Sequence, residues 1–345
     1  MRIKNFEINN ESQVFIIAEL SANHNGSIET AKETIRAAKR SGANCIKFQT
    51  YTADTITINS KKDDFLIKGT IWEGKNLYEL YKEAYTPWEW HEELFKVAEE
   101  EGLIYFSSPF DKTSVDFLEN LNVPAYKIAS FEITDIPLIE YVASKGKPII
   151  ISTGIATIED IELALEACKR VGNHEIAILK CTSSYPAPIE EANMIMVKDL
   201  KEKYNVITGL SDHTIGSTVP VVATCFGAKI IEKHFILDRS IGGPDASFSM
   251  NEHEFKEMVQ KIRDAEKAIG IVDYNLTKKQ LKGKDFSRSL YIVENIKKGE
   301  ILTEKNIRSI RPGYGLHPKH LKDILGKNIN TDVEKGTRLS LDLID

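Results

Sequence analysis

Short apolar, β-branched runs alternate with longer amphipathic stretches from about residue 14 to residue 270. Each run has four to six residues and is bounded by polar or glycine positions, which predicts a buried strand. The stretches between the runs repeat apolar residues at helical spacing, as at 27–41, 87–101, 157–171 and 251–269. Strands are predicted at 15–20, 45–49, 104–107, 125–128, 148–152, 175–180, 206–210 and 229–234.

The number of these repeats predicts a (β/α)8 barrel. Eight units of strand and helix within about 250 residues match the count and the size of that fold. A doubly wound open sheet uses the same local units, so the hydrophobic period alone leaves it possible, and only the count favours the barrel. In a barrel, the polar residues that end the strands meet at one face, where activity collects.

Residues 50–86 interrupt the repeat. The segment is too long for a simple crossover, and we predict that it forms a lid or wall over the barrel mouth. Its aromatic residues include Trp72, Tyr78, Tyr81 and Tyr85.

The pattern changes again after Gly270. Residues 271–286 are polar and rich in lysine, as in a linker, and the remainder has short apolar runs separated by turns. We therefore predict a barrel domain over 1–270, a linker over 271–286 and a small, mostly β domain over 287–345.

Composition limits the partners. The formal net charge of -6 is spread along the chain without a basic block, so we expect no nucleic-acid partner. No apolar segment reaches the length of a membrane span or signal peptide, so we expect a cytoplasmic protein without a membrane partner. The cysteines form no Cys-x-x-Cys pair, which indicates reduced thiols that pack in the core. They are Cys45, Cys168, Cys181 and Cys225.

Two successive predicted strands end in histidine, in the segments Ser211-Asp212-His213 and Glu232-Lys233-His234. Imidazole is a common ligand of transition-metal ions, so the pair predicts an open metal site at the barrel mouth. Ordinary half-buried histidines bonded to backbone are the alternative. Ser211 and Glu232 lie two residues before the histidines and share their strand faces.

Lys47 and Lys127 lie inside otherwise apolar strands. A buried ammonium group is costly unless an anion or a carboxylate meets it, so the two lysines predict an anionic ligand. Internal salt bridges to Glu19 or Glu232 are the alternative. Serine hydroxyls at strand ends would add neutral donors to a phosphate, although each alone is equally a turn or cap residue. They are Ser108, Ser130, Ser152, Ser183 and Ser211.

The remaining histidines and one loop aspartate have simpler interpretations. The turn signal Asn25-Gly26 makes His24 a structural residue. Asp245 follows a Gly-Gly-Pro loop, which makes it either a residue of the barrel mouth or a turn aspartate. The histidines without a matched partner are predicted at the surface: His91, His174, His253 and His320.

With these residues in order, the chain resembles the sialic acid synthase family, and 287–345, with Arg311-Pro312-Gly313, resembles its antifreeze-like (SAF) domain. The resemblance implies a TIM barrel that condenses phosphoenolpyruvate with an open-chain sugar aldehyde to a nine-carbon 2-keto acid, releasing phosphate. The matching segments are Ala18-Glu19, Asn23-His24-Asn25-Gly26, Lys47-Phe48-Gln49, Lys127-Ile128, Ser152-Thr153-Gly154, Ser211-Asp212-His213, Glu232-Lys233-His234-Phe235 and Gly243-Pro244-Asp245.

The same resemblance implies roles for individual residues. His213 and His234 would hold a divalent metal, Mn²⁺ or Mg²⁺ with Co²⁺ as a further candidate, and Glu19 and Glu232 would be the catalytic carboxylates. The residues implied for phosphoenolpyruvate are Lys47, Ser108, Lys127, Ser130, Ser152, Ser183 and Ser211. Those implied for the sugar are Gln49, Glu132, Tyr185, Asp245 and Arg311. Arg311 would reach the site from the small domain of a second subunit, in a domain-exchanged homodimer.

Three segments indicate the sugar. Leu20-Ser21-Ala22, 70–78 and 244–249 resemble family members whose substrate is 2,4-diacetamido-2,4,6-trideoxy-altrose. A synthase that makes N-acetylneuraminate or legionaminic acid from a different aldehyde sugar is the alternative. From the residues alone, the two histidines and Glu232 are also compatible with the facial triad of a non-haem iron oxygenase, which leaves the lysines unexplained. A non-catalytic sugar-binding protein is the third possibility.

Overall fold

Eight parallel strands close into a barrel in the computed structural model, which describes residues 1–345. Closure of the sheet decides for the barrel and against the open sheet that the hydrophobic period left possible. The chain divides into two units, Met1–Gly270 and Ile271–Asp345, and the barrel belongs to the first. None of the helices is long and apolar enough to cross a membrane.

The strands lie where the apolar runs predict them, with ends displaced by at most two residues. A short hairpin of β1 (Arg2–Ile3) and β2 (Phe6–Glu7) precedes the barrel. The barrel strands are β3 (Phe15–Glu19), β4 (Cys45–Thr50), β5 (Ile104–Pro109), β6 (Tyr126–Ile128), β7 (Ile149–Ser152), β8 (Ile176–Cys181), β9 (Ile207–Asp212) and β10 (Ile230–His234). Parallel pairing of β10 with β3 closes the ring.

Helices connect the strands, and side-chain caps mark where several of them begin. Ser27 accepts a hydrogen bond from the backbone N–H of Thr30, and Asn251 forms a capping box with Glu254. In the first unit the helices are α1 (Ile28–Arg40), α2 (Ala53–Ile56), α3 (Leu77–Ala84), α4 (His91–Glu100), α5 (Lys112–Asn120), α6 (Ile136–Ala143), α7 (Ile158–Arg170), α8 (Ile195–Tyr204), α9 (Thr218–Cys225) and α10 (Glu252–Ile269).

Alternate residues of each strand feed two cores. In β3, Phe15 and Ile17 pack inside the barrel, whereas Ile16 and Ala18 pack against the helices. The period of two therefore points Glu19 inward as well, at the end where the apolar filling stops. The same rule turns alternate polar residues near the ends of the other strands toward one mouth.

The segment between β4 and α4 contains α2 and α3 and is held at both ends by buried histidines. Oγ1 of Thr50, the last residue of β4, lies 2.8 Å from Nε2 of His91, and Oγ1 of Thr86, before α4, lies 3.3 Å from Nε2 of His24. The structural interpretation of His24 agrees with this contact. The prediction that His91 lies at the surface is wrong, because its side chain is fully buried beneath the segment.

The cysteines and the remaining histidines differ in their burial. Cys45, Cys168 and Cys181 are buried as predicted, but Cys225 is exposed. It lies at the end of α9 and off the face formed by Val219 and Ala223, which is buried. His174 and His253 are exposed, and His320 is half-buried.

The second unit has its own small core. Strand β11 (Ser289–Ile292) pairs antiparallel with β12 (Ile307–Ile310), and further single bridges join the surrounding turns. The predicted linker contains the helix α11 (Lys278–Gly283), and α12 (Leu321–Ile324) packs into the small core through Ile324. The other core residues include Leu290, Ile292, Ile296, Leu302, Ile307, Ile329 and Leu339.

Candidate active site

A cavity of about 410 Å³ lies at the carboxyl ends of the barrel strands. Its floor is charged, and its outer wall comes from the segment between β4 and α4. The residues predicted from the sequence that line the cavity are Glu19, Lys47, Gln49, Lys127, Ser130, Glu132, Ser152, Tyr185, Ser211, His213, Glu232, His234 and Asp245. Strands far apart in the sequence therefore converge on one space.

Two lysines and two glutamates form a continuous chain across the floor. Nζ of Lys47 lies 2.7 Å from Oε2 of Glu19 and 3.7 Å from Oε1 of Glu232. Nζ of Lys127 lies 3.9 Å from the same oxygen of Glu232. Both lysines thus have the internal carboxylate partners that the sequence left as an alternative to an anionic ligand.

The charge on the two glutamates decides whether the lysines can also bind an anionic ligand. Burial raises the pKa of Glu19 to about 7, even though Lys47 acts in the opposite direction. Burial also disfavours the charged form of Glu232, but Lys127 and Lys47 outweigh it, and the pKa of Glu232 is lowered. One carboxylate near neutral pH is therefore fully charged and the other is partly protonated. Two lysines facing fewer than two full negative charges favour an incoming anion.

The two lysines also have pKa values that are shifted in opposite directions. Burial acts to lower the pKa of Lys47, but Glu19 and Glu232 outweigh this effect and the pKa is raised. For Lys127 burial dominates, and its pKa is lowered. An anion that contacts Lys127 would favour its charged form again, so binding of the anion and protonation of this lysine support each other.

Serine hydroxyls surround the lysines. Nζ of Lys127 donates to Oγ of Ser152 at 2.6 Å, and Oγ of Ser211 donates to Oε1 of Glu232 at 3.1 Å. Ser108 lies behind the lining and accepts a hydrogen bond from Nζ of Lys47 at 3.3 Å. The floor therefore has neutral donors within reach of both lysines.

Ser183 also lies behind the lining. Its Oγ is 2.7 Å from Oγ of Ser130, which does line the cavity. Gly154 makes this contact possible, because a Cβ there would lie 1.9 Å from Oγ of Ser183 and 2.5 Å from Cβ of Ser130. Ser183 thus holds Ser130 at the cavity lining.

His213 and His234 lie beside each other at the mouth, with ring centroids 5.4 Å apart. Nδ1 of His213 lies 2.9 Å from the carbonyl oxygen of Thr182, which only accepts, so Nδ1 carries the proton and Nε2 is free to coordinate. Nδ1 of His234 is buried without a hydrogen-bond partner and lies 3.7 Å from Oδ2 of Asp245. Two imidazoles with unused ring nitrogens fit a metal ion that keeps open positions.

No group of three or more His, Cys, Asp or Glu side chains is arranged to hold a metal ion. The carboxylate of Glu232 is directed to the lysines and to Ser211 instead of the histidines. The three-ligand set of an iron oxygenase is therefore not assembled by Glu232 with the two histidines.

Tyr185 and Asp245 form the side of the cavity next to the histidines. The ring centroid of Tyr185 lies 4.3 Å from the ring centroid of His213 and 5.5 Å from that of Trp72. Asp245 accepts a hydrogen bond from Ser21, whose hydroxyl also accepts from Gln49. These contacts join the loop after β10 to the ends of β3 and β4.

Glu132 lies nearby, in the loop after β6. Burial raises its pKa to about 7, and its Oε2 is buried without a partner. A carboxyl group in this condition both donates and accepts hydrogen bonds near neutral pH, which suits a polar substrate that carries amide groups.

Several cavity residues were missed by reasoning from the sequence. Ser21 stands in a strand-end motif and has φ 48°, but nothing local showed that it would bridge Gln49 and Asp245. Phe110 directly follows β5 and Phe131 comes three residues after β6, so their places near strand ends were an available signal. Leu77, Leu80 and Ala84 lie on one face of α3 at helical spacing, but that spacing does not show what the face covers, and Ile56 and Ile67 belong to no such pattern.

The two histidine motifs also contain residues that face away from the cavity. Asp212 and Lys233 point outward, where the buried ammonium of Lys233 contacts the carboxylate of Asp212 and the carbonyl oxygen of Thr214. This pair ties the ends of β9 and β10 together. It stabilises the strand ends that carry His213 and His234.

Arg311 belongs to the second unit. It directly follows β12, is exposed, and precedes Pro312 through a cis peptide bond.

The comparisons with known proteins cover nearly the whole chain. The sequence matches the NeuB family over residues 34–274 and the SAF domain over residues 287–345. A pseudaminic acid synthase of Campylobacter jejuni is 50% identical over 339 residues, covering 98% of this chain and 98% of that protein. A pseudaminic acid synthase of Helicobacter pylori is 50% identical over 331 residues, covering 96% and 97%.

A solved structure has the same fold. It is an N-acetylneuraminic acid (sialic acid) synthetase from Leptospira borgpetersenii in complex with citrate. The match has a TM-score of 0.73 and 30% identity, and it covers 82% of this chain and 94% of that one.

Proposed function

The chain belongs to the NeuB family, and from that membership we propose that it catalyses the pseudaminic acid synthase reaction. Phosphoenolpyruvate condenses with 2,4-diacetamido-2,4,6-trideoxy-L-altrose, giving pseudaminic acid and phosphate. The observation that carries the proposal is 50% identity, along 98% of the chain, to a relative with that activity in its name. The chain is thus a transferase that forms a carbon–carbon bond.

Another sugar is the alternative. The N-acetylneuraminic acid synthetase whose structure is solved shares 30% sequence identity with this chain. The two pseudaminic acid synthases share 50%. This difference favours the diacetamido sugar over N-acetylmannosamine.

The floor of the cavity provides the phosphoenolpyruvate site of this proposal. Lys47 and Lys127 hold the carboxylate and phosphate, with hydroxyl donors from the serines around them. The substrate then replaces part of the interaction that each lysine makes with Glu232. Holding the anion in one orientation places its C3 carbon toward the aldehyde, so that the two substrates react as a preoriented pair.

Glu19 is the proposed base. After C3 attacks the aldehyde carbon, C2 is electron-deficient, and water must add there before the C–O bond to phosphate breaks. Glu19 takes a proton from that water, and Lys47 and Gln49 hold its carboxylate in position at 2.7 Å and 3.0 Å. Glu232 keeps its charge beside Lys127 and stabilises the positive centre electrostatically.

His213 and His234 are the proposed holders of a divalent metal, Mn²⁺ or Mg²⁺ with Co²⁺ as a further candidate. A metal ion bound there supplies Lewis acidity toward the aldehyde group. Tyr185 packs against His213 and keeps the ring in place, and Asp245 lies next to His234. Asp245, Gln49, Glu132 and Tyr185 face the space left for the sugar.

The proposed assembly is a cytoplasmic homodimer in which the small unit of one subunit contributes Arg311 to the site of the other. The support for it is the resemblance of Arg311-Pro312-Gly313 to the SAF domain pattern of this family.

A phosphate-release assay tests the proposed function. The purified chain is incubated with phosphoenolpyruvate, MnCl2 and one of three aldehyde sugars: the altrose derivative, the legionaminic acid precursor or N-acetylmannosamine. Release that requires both sugar and metal and is fastest with the altrose derivative is the expected result. Release that persists after chelation with EDTA contradicts the metal assignment, and no release with any sugar contradicts the synthase function.

A further inference from the structure

The cavity wall opposite the charged floor is apolar and comes from the 50–86 segment. We call this surface the lid wall. Half-buried side chains of Ile56, Ile67 and Leu77 contribute to it, with Leu80 and Ala84 from the same helix as Leu77. These five side chains present only carbon atoms to the cavity, in contrast to the floor. The same segment also lines the cavity with Tyr51, Thr70, Trp72 and Tyr81, which carry polar atoms.

The lid wall is held over the mouth by specific contacts. Nε1 of Trp72 donates to the carbonyl oxygen of Pro244 at 3.0 Å, which attaches the segment to the loop after β10. Tyr81 packs edge-on against Tyr51, with ring centroids 5.7 Å apart. The wall is therefore a fixed surface of the cavity, and its composition can contribute to specificity.

The position of the lid wall determines which end of the sugar reaches it. Tyr185 contacts His213 on one side and Trp72 on the other, so the segment that carries the lid wall reaches the cavity next to the histidine pair. An open-chain sugar with its aldehyde carbon between the histidines and the lysines extends outward along Tyr185. Its last carbon then lies against the lid wall.

We propose that the lid wall selects the sugar by its terminal carbon, accepting a C6 methyl group and discriminating against a C6 hydroxymethyl group. This inference rests on the proposed function, because it assumes an aldehyde sugar in the cavity. A methyl group gains from leaving water against aliphatic side chains. A hydroxyl placed against these five aliphatic side chains loses its water and finds no hydrogen-bond partner on them, and such apolar surfaces discriminate by roughly tenfold to a hundredfold.

The test compares two substrates that differ at C6 only. The kcat/KM is measured for the diacetamido aldehyde with a C6 methyl group and for the same aldehyde with a C6 hydroxyl. We expect the wild-type chain to prefer the methyl sugar by at least about tenfold. Ile56→Thr and Ile67→Thr each introduce a hydroxyl into the lid wall and should reduce the preference several-fold, mainly by improving KM for the hydroxyl sugar.

Ile58→Thr is the matched control. Ile58 belongs to the same segment, two residues from Ile56, but its side chain is 61% exposed and does not line the cavity. The same replacement there should leave the preference unchanged. The KM for phosphoenolpyruvate, measured in every variant, reports whether the floor is intact.

The outcomes separate this inference from the function beneath it. Turnover of both sugars with equal kcat/KM in the wild-type chain would overturn the role of the lid wall and leave the synthase function standing. An equal loss of preference in Ile58→Thr would also overturn it. A wild-type chain that turns over neither sugar would refute the proposed function and this inference with it.

Discussion

Glu19 and Glu232 are both buried on the same floor, yet their neighbours give them different charges. Glu19 has one close lysine, and burial raises its pKa to about 7. Glu232 has lysines on two sides and the hydroxyl of Ser211, and its pKa is lowered. Different pKa values in a shared site commonly separate a proton-transferring group from a group that remains charged, and this pair shows that difference.

Replacement of Glu19 tests its role as the base. Glu19→Gln should lower kcat by about a hundredfold or more, while phosphoenolpyruvate still binds in a calorimetric titration. In the wild-type chain, kcat/KM should rise with pH up to about 7 and then level off, because the base acts only when ionised. A variant with near-normal turnover would remove Glu19 from this step.

Lys127 is the lysine whose replacement most directly tests the anion site. Lys127→Met removes a buried positive charge and leaves Glu232 with one lysine, so phosphoenolpyruvate should bind about a hundredfold more weakly. Lys229→Met is the control, since Lys229 is also partly buried but bonds to the carbonyl oxygen of Ser12 away from the cavity. Equal effects of the two replacements on binding would contradict the assignment.

At the scale of elements, the lid segment depends on two neutral histidines. Nδ1 of His91 lies 3.2 Å from the carbonyl oxygen of Pro87, so it carries the proton and Nε2 accepts from Thr50. The backbone N–H of Gly26 donates to Nδ1 of His24, so Nε2 of His24 donates to Thr86. Burial lowers the pKa of each histidine to about 4.

These pKa values predict a loss of stability in acid. The unfolded chain takes up a proton on each histidine near pH 6.5, whereas the folded chain resists protonation until about pH 4. Stability from this source is complete above pH 6.5 and falls as the pH is lowered toward 4, by roughly 3 kcal/mol for each histidine. Thermal unfolding midpoints measured from pH 7 to pH 4 would record the loss.

A variant isolates the contribution of His91 to that loss. Glu19 and Glu132, whose pKa values are raised to about 7, act in the opposite direction over part of the range. The quantity to compare is therefore the loss of stability between pH 7 and pH 4 in the wild-type chain and in His91→Gln. The variant should lose less stability than the wild type. His174→Gln changes an exposed histidine and should follow the wild type. Identical pH profiles for all three proteins would argue against the buried neutral histidine.

At the scale of the whole molecule, the proposed exchange of small units between two subunits can be tested with mixed dimers. The Glu19→Gln and Arg311→Ala variants are each inactive or weak alone. They are mixed in equal amounts, unfolded, and refolded together so that mixed dimers form. If Arg311 acts on the site of the other subunit, a mixed dimer has one intact site, and about a quarter of wild-type activity should return. Sedimentation velocity at the assay concentration would confirm the dimer.

The same mixture distinguishes the alternative arrangement. If Arg311 served the barrel of its own chain, every site in the mixed dimer would carry one defect, and no activity would return. An active monomer in the sedimentation experiment would also contradict the proposed exchange.

Much of the barrel and its mouth could be predicted from the sequence because these features are local. Strand alternation has a period of two, so Lys47 and Gln49 were placed on one face, and His213 and His234 at two strand ends, without tertiary knowledge. The closed topology explains why these ends meet. Predicted strand positions were accurate because apolar runs of this length have few other ways to be buried.

The tertiary structure alone decided the rest. Whether Lys47 and Lys127 meet carboxylates, whether Glu19 is neutral or charged, and whether His91 is buried all depend on residues distant in the sequence. The lid wall combines one face of α3 with Ile56 and Ile67 from irregular chain, and only the tertiary structure shows that these residues cover the same mouth. The sequence by itself determined which chemical groups face the mouth, and the fold determined their distances and ionisation, because both depend on long-range packing and burial.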